Sequence, residues 1–264
     1  MANKVMKTAR RVIVLLAVTA IMAVGFTQTV YAWGGNIHNG ITSAALSRTI
    51  GSNSDVQNHC MDPDTLDNTY CIPFTDISPV HISMHSYIIN NNIHTLGSAP
   101  HEVKYNADNA KRDIHSTNPS TRSQGYQALG RSLHYLEDCA QPFHTSLNGA
   151  MPTIALLTFG LDTSGGAYYP YHDKYEGDVA ESAWVSNGWN NLGVSSEVFS
   201  VTDPESTAID IAYFSNYYVP YLIGVCSLYD ANTLKNDATV KSITQSLTLA
   251  SAASSAGVIE YATN

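Results

Sequence analysis

The segment H-Y-L-E-D-C-A-Q-P-F-H, from His134 to His144, carries two histidines and an aspartate at uneven intervals. His134 and Asp138 are four residues apart, so on a helix they project from one face and can share one metal ion. Pro142 ends such a helix, and His144 can then reach back to the same cavity or a neighbouring one. Imidazole and carboxylate suit zinc. Taken alone, the pattern fits ordinary core or surface histidines equally well.

A second pair of the same kind strengthens the metal-site interpretation. In Y-H-D-K-Y-E, His172 and Glu176 are again four residues apart. An exposed hydrogen bond between them is the simpler explanation for this pair alone. Two His-plus-carboxylate pairs on separate helices are, however, the way in which metal sites are assembled inside helical bundles.

Helical spacing dominates the rest of the chain. Ala128, Leu129, Leu133 and Leu136 repeat at helical intervals, with Ser120 or Thr121 as candidate caps. The pattern predicts helices over roughly 37–49, 78–94, 120–140, 172–187, 206–229 and 238–262. Long irregular segments occupy roughly residues 51–76 and 145–171, and long loops in compact domains are often functional. We predict a compact, all-α single domain with long connecting loops.

The first thirty-two residues have the pattern of a secretory signal peptide. Lys4, Lys7, Arg10 and Arg11 precede an apolar run, and Val30 and Ala32 occupy the small-residue positions of a cleavage site. The apolar run is short for a membrane span, although an uncleaved anchor is the alternative. We expect cleavage after Ala32, a mature domain over 33–264, and secretion.

Charge restricts the choice of partner. The chain has 13 Lys and Arg against 22 Asp and Glu, and removal of four basic residues with the signal leaves a formal net charge of −13. Such a surface repels nucleic-acid phosphates and anionic lipids. Either the substrate is not a polyanion, or metal ions lie where it binds.

The cysteine count favours disulfides. Four cysteines lie in the mature part, and an even number in an exported chain is typical of paired thiols. Cys60 and Cys71 are close enough for a local loop, which leaves Cys139 and Cys226 as the long-range pair. The other two connectivities remain open. Zinc binding through cysteine is disfavoured because the sequence has no C-x-x-C spacing.

The new N-terminus is a further candidate ligand. Trp33 would carry a free amine, which a metal can deprotonate and chelate together with the carbonyl of the same residue. His38 follows five residues later and can add an imidazole. Activity would then depend on removal of the signal.

Five segments carry a resemblance to a known family. They are W-G-G-N-I-H, P-D-T-L-D-N, M-H-S-Y, S-L-H-Y-L-E-D-C-A-Q-P-F-H and Y-H-D-K-Y-E, in this order between Trp33 and Glu176. Their order resembles that of the zinc-dependent phospholipase C family of secreted bacterial enzymes. The final third is similar to the family only in being helical. The resemblance implies an all-helical domain with three zinc ions in a cleft, and hydrolysis of phospholipids to diacylglycerol and a phosphorylated head group.

The resemblance also implies a ligand set. The first zinc would be bound by Asp64, His85, His134 and Asp138, and the second by His144, His172 and Glu176. Trp33 and His38 would bind the third, with Asp138 as a bridge. Asp64 would also be the base that activates the attacking water. Asp67 is an alternative to Asp64, and His81 to His85. The other histidines match nothing in the family: His59, His94, His101 and His115.

Two other functions remain as alternatives. Single-strand-specific zinc nucleases share the three-metal site, but their last pair resembles H-x3-D, whereas this chain has H-x3-E. A secreted zinc-binding protein without turnover is the second alternative. Some phospholipases carry a glutamate near the mature N-terminus that helps to hold choline, whereas Gly34, Gly35 and Asn36 stand here, so head-group preference is open. We expect a monomer acting on phospholipid at a membrane or micelle surface.

Overall fold

Helices form most of the computed structural model, which describes residues 33–66, 83–146, 169–191 and 197–264. The helices are α1 (Gly35–Arg48), α2 (Ser54–His59), α3 (Asp62–Leu66), α4 (Ala99–Ile114), α5 (Pro119–Cys139), α6 (Tyr169–Asp173), α7 (Ser182–Ser186), α8 (Pro204–Asn216), α9 (Val219–Leu228), α10 (Ala231–Lys235) and α11 (Ala238–Thr263). A π-helix, Lys174–Glu181, joins α6 to α7, and 3₁₀ turns span Pro142–Thr145 and Trp189–Asn191. The prediction of an all-α single domain is confirmed.

The central helix α5 agrees with its sequence pattern. It begins one residue before the predicted start and ends at Cys139, three residues before Pro142. Its cap is Asn118, whose side chain accepts hydrogen bonds from the backbone N–H groups of Ser120 and Thr121. The two residues expected to cap the helix are therefore the donors that a cap satisfies.

The predicted helix over 78–94 is wrong in its second half. Within the part of it that is described, residues 83–85 are helical, and β1 (Ile88–Asn90) then pairs antiparallel with β2 (Ile93–Leu96). Asn91 and Asn92 form the turn with φ of 51° and 63°. Asparagine tolerates this left-handed backbone, and such turns match the twist of a hairpin. Isoleucines on either side favour strands over helix.

Other element boundaries differ from the sequence prediction for local reasons. Helix α4 was not predicted, although Val103, Ala107, Ala110 and Ile114 repeat at helical intervals on its buried face. The predicted helix over 206–229 is two helices, with Pro220 in the first turn of α9, where its missing N–H costs nothing. The segment expected to be a loop over 51–76 contains α2 and α3.

Two hydrophobic clusters form the core. The first joins α4, α5 and α8 to the C-terminal part of α11, and the second joins α1 to the π-helix, α9 and the first half of α11. The chain passes from the first cluster at Ala140 to the second at Phe143. The segment between His134 and His144 therefore lies where the two clusters meet, and both hold it in place.

The predicted Cys139–Cys226 disulfide is wrong. Both residues are buried free thiols, Cys139 in the first cluster and Cys226 in the second. Cys60 is also a free thiol, and it donates to the carbonyl of Gln57 at 3.2 Å. Its expected partner, Cys71, lies outside the described residues.

The signal peptide over residues 1–32 lies outside the described part of the chain and stays a prediction, as does the domain boundary at residue 33. Among the residues that the structure describes, none of the helices combines the length and apolarity needed to cross a membrane.

Candidate metal centre

Among the residues that the structure describes, three groups of buried side chains have the composition and spacing of metal sites. Within each group, one ligand atom from every residue lies within 4.8 Å of the others. The groups are His38, His134 and Asp138; Asp64, His85 and His134; and His144, His172 and Glu176. His134 belongs to two of them, so the first two groups adjoin.

Asp138 lies between the first two groups and directs one oxygen to each. Its Oδ1 is 3.3 Å from Nε2 of His38, which lies near the start of α1. Its Oδ2 is 2.6 Å from Nδ1 of His85 and 3.5 Å from Nε2 of His134. This arrangement is what the bridging role of Asp138 requires.

The second group brings together three elements that are distant in sequence. Asp64 on α3 places Oδ1 3.4 Å from Nε2 of His134 and 3.9 Å from Nδ1 of His85. The two imidazole nitrogens are themselves 3.2 Å apart. Zinc bonds of about 2.0–2.1 Å in a tetrahedron separate neighbouring ligand atoms by about 3.3 Å. The spacing therefore suits one zinc-sized ion.

The third group is assembled across the 3₁₀ turn that follows α5. Nε2 of His144 lies 3.0 Å from Nε2 of His172, which lies 3.1 Å from Oε2 of Glu176. The same carboxylate oxygen accepts a hydrogen bond of 2.8 Å from the side-chain amide of Gln141. Gln141 also accepts from the backbone N–H of Phe143, so one residue both orders the turn and holds Glu176.

Outer hydrogen bonds select the tautomer of the histidines. Nδ1 of His134 donates to the carbonyl of Cys60 at 2.6 Å, and Nδ1 of His144 donates to the carbonyl of His85 at 2.8 Å. Nδ1 of His38 donates to the carboxylate of Glu137 at 2.7 Å. Each bond leaves Nε2 facing the other ligand atoms, which is how metal-binding histidines are commonly oriented.

Two facing atoms test whether a cation fits this centre. Nε2 of His38 and Oδ1 of Asp138 are buried, and neither has a hydrogen-bond partner among the described residues. Leaving such atoms unsatisfied costs about 1–3 kcal/mol each. Burial alone would lower the pKa of His38, but the carboxylates of Asp138 and Glu137 raise that pKa well above its usual range, so the metal-free site attracts a proton between Nε2 of His38 and Oδ1 of Asp138, which are 3.3 Å apart. A cation between them would satisfy both, so the donor set fits a metal ion.

Burial and neighbouring charges set the protonation of these groups. Burial alone would raise the pKa of Asp138, but the imidazoles of His134 and His85 hold that pKa well below its usual range. Burial lowers the pKa of His144 to about 4. An ionised carboxylate and a neutral imidazole are the forms that bind metals.

The third group has a coupled pair. Burial raises the pKa of Glu176 to about 7, although His172 opposes the rise. Burial alone would lower the pKa of His172, but the carboxylate of Glu176 outweighs it and raises that pKa to about 10. The physical result is an attraction between the two side chains, which holds them together in the fold.

The structure brings together eight of the nine side chains named from the sequence, while their role as ligands stays a prediction. Trp33, the ninth, is buried at the start of α1, its ring 6.0 Å from that of Tyr175. Its amine and carbonyl as ligands likewise stay a prediction. Asp67 and His81, the two alternatives, lie outside the described residues. The unmatched histidines belong to none of the three groups: His59, His94, His101 and His115.

Sequence reasoning missed the residues that support the ligands. Glu137 and Gln141 lie inside the quoted segment, yet their spacing carries no metal-site signal of its own. Their contacts depend on which helix faces them.

No protein-family model matches the sequence, and no curated protein matches it significantly.

Proposed function

We propose that this chain is a secreted, zinc-dependent phosphodiesterase of the phospholipase C type. It would hydrolyse phospholipids such as phosphatidylcholine to diacylglycerol and a phosphorylated head group. The observation that carries the proposal is the clustering of three buried His-and-carboxylate groups, two of which share His134 and have Asp138 between them. Adjacent metal sites of this kind suit displacement at phosphorus.

The donor chemistry supports zinc as the metal. All eight side chains are imidazoles or carboxylates, which bind zinc without redox chemistry. Three ions would neutralise the phosphate, lower the pKa of bound water and stabilise the leaving oxygen. They would also explain how a strongly acidic chain binds an anionic ester.

Asp64 is the proposed base. It is buried on α3, and its carboxylate lies between His134 and His85. Burial would raise the pKa of Asp64, but the neighbouring His134 more than offsets this and lowers it. The side chain is therefore ionised near neutral pH and can accept a proton from an attacking water.

A surface segment whose own side chains are uncharged lies beside the centre, where Lys174 donates to its backbone at Cys226, and this uncharged surface favours lipid over nucleic acid. Residues 211–229 contain no charged side chain, and Tyr217 and Leu228 within them are 79% and 75% exposed. Asn216 in the same segment donates to the carbonyl of Thr145 at 2.7 Å, next to His144. Tyrosines suit the boundary between water and lipid, whereas surfaces that bind nucleic acid are basic. The nuclease remains the alternative proposal.

Substrate and metal dependence can be tested together. Purified protein is incubated with phosphatidylcholine vesicles and separately with single-stranded DNA, each with and without a chelator. We expect diacylglycerol release that the chelator abolishes, and a lower melting temperature after chelation. Chelator-sensitive cleavage of DNA alone would favour the nuclease. Zinc uptake without hydrolysis of either substrate would favour a non-catalytic zinc-binding protein.

Two variants test the assigned residues. Asp64→Asn should abolish turnover while retaining most of the zinc, whereas the matched control Asp210→Asn changes an exposed carboxylate on α8 and should retain activity. Full activity of Asp64→Asn would refute its role as the base. One extra residue before Trp33 should remove one zinc equivalent and most activity, and normal zinc content would refute the N-terminal ligand.

A further inference from the structure

Glu137 is a fully buried carboxylate that belongs to none of the three ligand groups. It lies within the metal-facing turn of α5, directly before Asp138, so Glu137 and Asp138 are consecutive acids on one helix. Burying a charge without compensation is costly. A carboxylate in this position therefore needs strong partners, and the structure supplies them from two other helices.

The partners lie on one face of α1 and on α11. Oε2 accepts from Nδ1 of His38 at 2.7 Å, and Oε1 accepts from the hydroxyl of Thr42 at 2.9 Å. His38 and Thr42 are one turn apart on α1, so a single carboxylate can accept hydrogen bonds from both side chains. The hydroxyl of Ser255 on α11 approaches Oε1 at 3.5 Å. Glu137 thus links three helices at the edge of the metal centre.

The two consecutive acids face opposite nitrogens of the same imidazole. Glu137 contacts Nδ1 of His38, while Asp138 faces Nε2 at 3.3 Å. The bond to Glu137 places the proton of the neutral ring on Nδ1. The lone pair of Nε2 then points at Asp138 and His134, where a metal ion would be held.

We infer that Glu137 is a positioning residue, which fixes the tautomer and orientation of His38 and docks α1 against the metal centre. Carboxylate–histidine–metal arrangements of this kind raise metal affinity, and their loss commonly costs about 10- to 100-fold. The inference rests on the proposed metal centre but not on the proposed substrate. A carboxylate that only stabilised the fold would affect all three groups alike.

The experiment compares three variants of the full protein. Glu137→Leu removes both acceptor oxygens with little change in size, whereas Glu137→Gln keeps one acceptor for Nδ1 of His38. Ser132→Ala is the matched control, because Ser132 is also fully buried on α5 and loses a single hydrogen bond, to the carbonyl of Val103 at 2.7 Å. Stepwise zinc affinities are measured by competition with a chelating indicator, and the hydrogen-bonded Nδ1–H group of His38 is observed by ¹H–¹⁵N NMR of the metal-free protein.

We expect Glu137→Leu to lower the affinity for one zinc ion by about 10- to 100-fold. The affinity of the site formed by His144, His172 and Glu176 should stay unchanged. The hydrogen-bonded Nδ1–H signal of His38 should be lost. Glu137→Gln should recover most of both properties, and Ser132→Ala should change neither. If Glu137→Leu fails to fold, a hydrogen-bonded Nδ1–H signal of His38 that persists in Glu137→Gln supports the inference, and its absence overturns it.

Two further outcomes separate this inference from the proposed function. Zinc affinities in Glu137→Leu within twofold of wild type, or an equal loss at all three sites, would overturn the positioning role. An absence of zinc binding by wild type would contradict the proposed metal centre. The Nδ1–H signal of His38 in the metal-free protein still tests Glu137 in that case, because it requires no bound metal.

Discussion

Gly130→Ala should destabilise the protein through the backbone that orients His134. Gly130 lies one turn before His134 on α5 and faces α2. A Cβ added there would lie 2.5 Å from the carbonyl oxygen of Val56, 3.0 Å from the carbonyl carbon of His59 and 3.1 Å from the nitrogen of Cys60. All three atoms belong to the backbone and cannot rotate away. Relief to an ordinary contact requires a shift of about 1 Å between α2 and α5.

The cost of that shift can be worked out from its parts. Overpacking of a tight contact typically costs about 1–3 kcal/mol. The same displacement strains the 2.6 Å bond from His134 to the Cys60 carbonyl, and a typical hydrogen bond contributes about 0.5–1.5 kcal/mol. Alanine recovers about 0.5–1 kcal/mol over glycine inside a helix. The net destabilisation should be about 0.5–4 kcal/mol, with about 2 kcal/mol near the middle of that range.

The assay is urea unfolding of the metal-free and the zinc-loaded protein. Gly224→Ala is the control, because a Cβ at this position in α9 meets nothing within 4 Å. The control should gain about 0.5–1 kcal/mol from helix propensity alone. Zinc should also stabilise Gly130→Ala less than wild type, because His134 belongs to two ligand groups. Equal stability of Gly130→Ala and Gly224→Ala would refute the reasoning.

Three further predictions concern the thiols, the pH dependence and the uncharged surface. Non-reducing peptide mapping should find no link between Cys139 and Cys226, and a linked peptide would contradict the structure. Burial raises the pKa of Cys226 to about 11, so this thiol should resist alkylation at pH 8 in the folded protein. In the metal-free protein, burial lowers the pKa of His144 to about 4 and so keeps this side chain neutral. The contribution of His144 to the free energy of unfolding should therefore be complete above pH 6.5 and should fall by up to roughly 3 kcal/mol as the pH decreases to 4. Unfolding of His144→Gln over the same range should show a shallower fall, and an unchanged slope would refute this cause. Tyr217→Ser combined with Leu228→Ser should slow hydrolysis of vesicles several-fold and spare water-soluble short-chain phospholipids, whereas equal loss on both would exclude a lipid-contacting role for this surface.

The prediction of helices depended on recognising apolar residues at helical intervals. Leu129, Leu133 and Leu136 made α5 recognisable, whereas the prediction missed α4, although Val103, Ala107, Ala110 and Ile114 repeat at helical intervals on its buried face. The hairpin after residue 85 was missed because it depends on backbone conformation at the turn and not on the spacing of apolar residues. It depends on two asparagines that accept a left-handed backbone.

The candidate site was predictable to the extent that its geometry is local. Residues four apart on a helix share a face, so the pairs His134 with Asp138 and His172 with Glu176 could be paired from spacing alone. The contact between Asp64 and His134 could not, because it depends on how α3 packs against α5. The disulfide prediction failed for the same reason. An even count of cysteines does not report that Cys139 and Cys226 lie in different clusters.

The uneven spacing between His134 and His144 follows from serving three groups with one short segment. The first four-residue step keeps His134 and Asp138 on one face of α5, so that Asp138 can offer one oxygen to each of the first two groups. A further helical step of four would have kept the next ligand on that same face. The six-residue step across Pro142 instead ends the helix, and the 3₁₀ turn carries His144 to His172. The bond from His144 to the carbonyl of His85 then ties the third group to the second, so a one-residue insertion after Asp138 should uncouple the third group without altering the first.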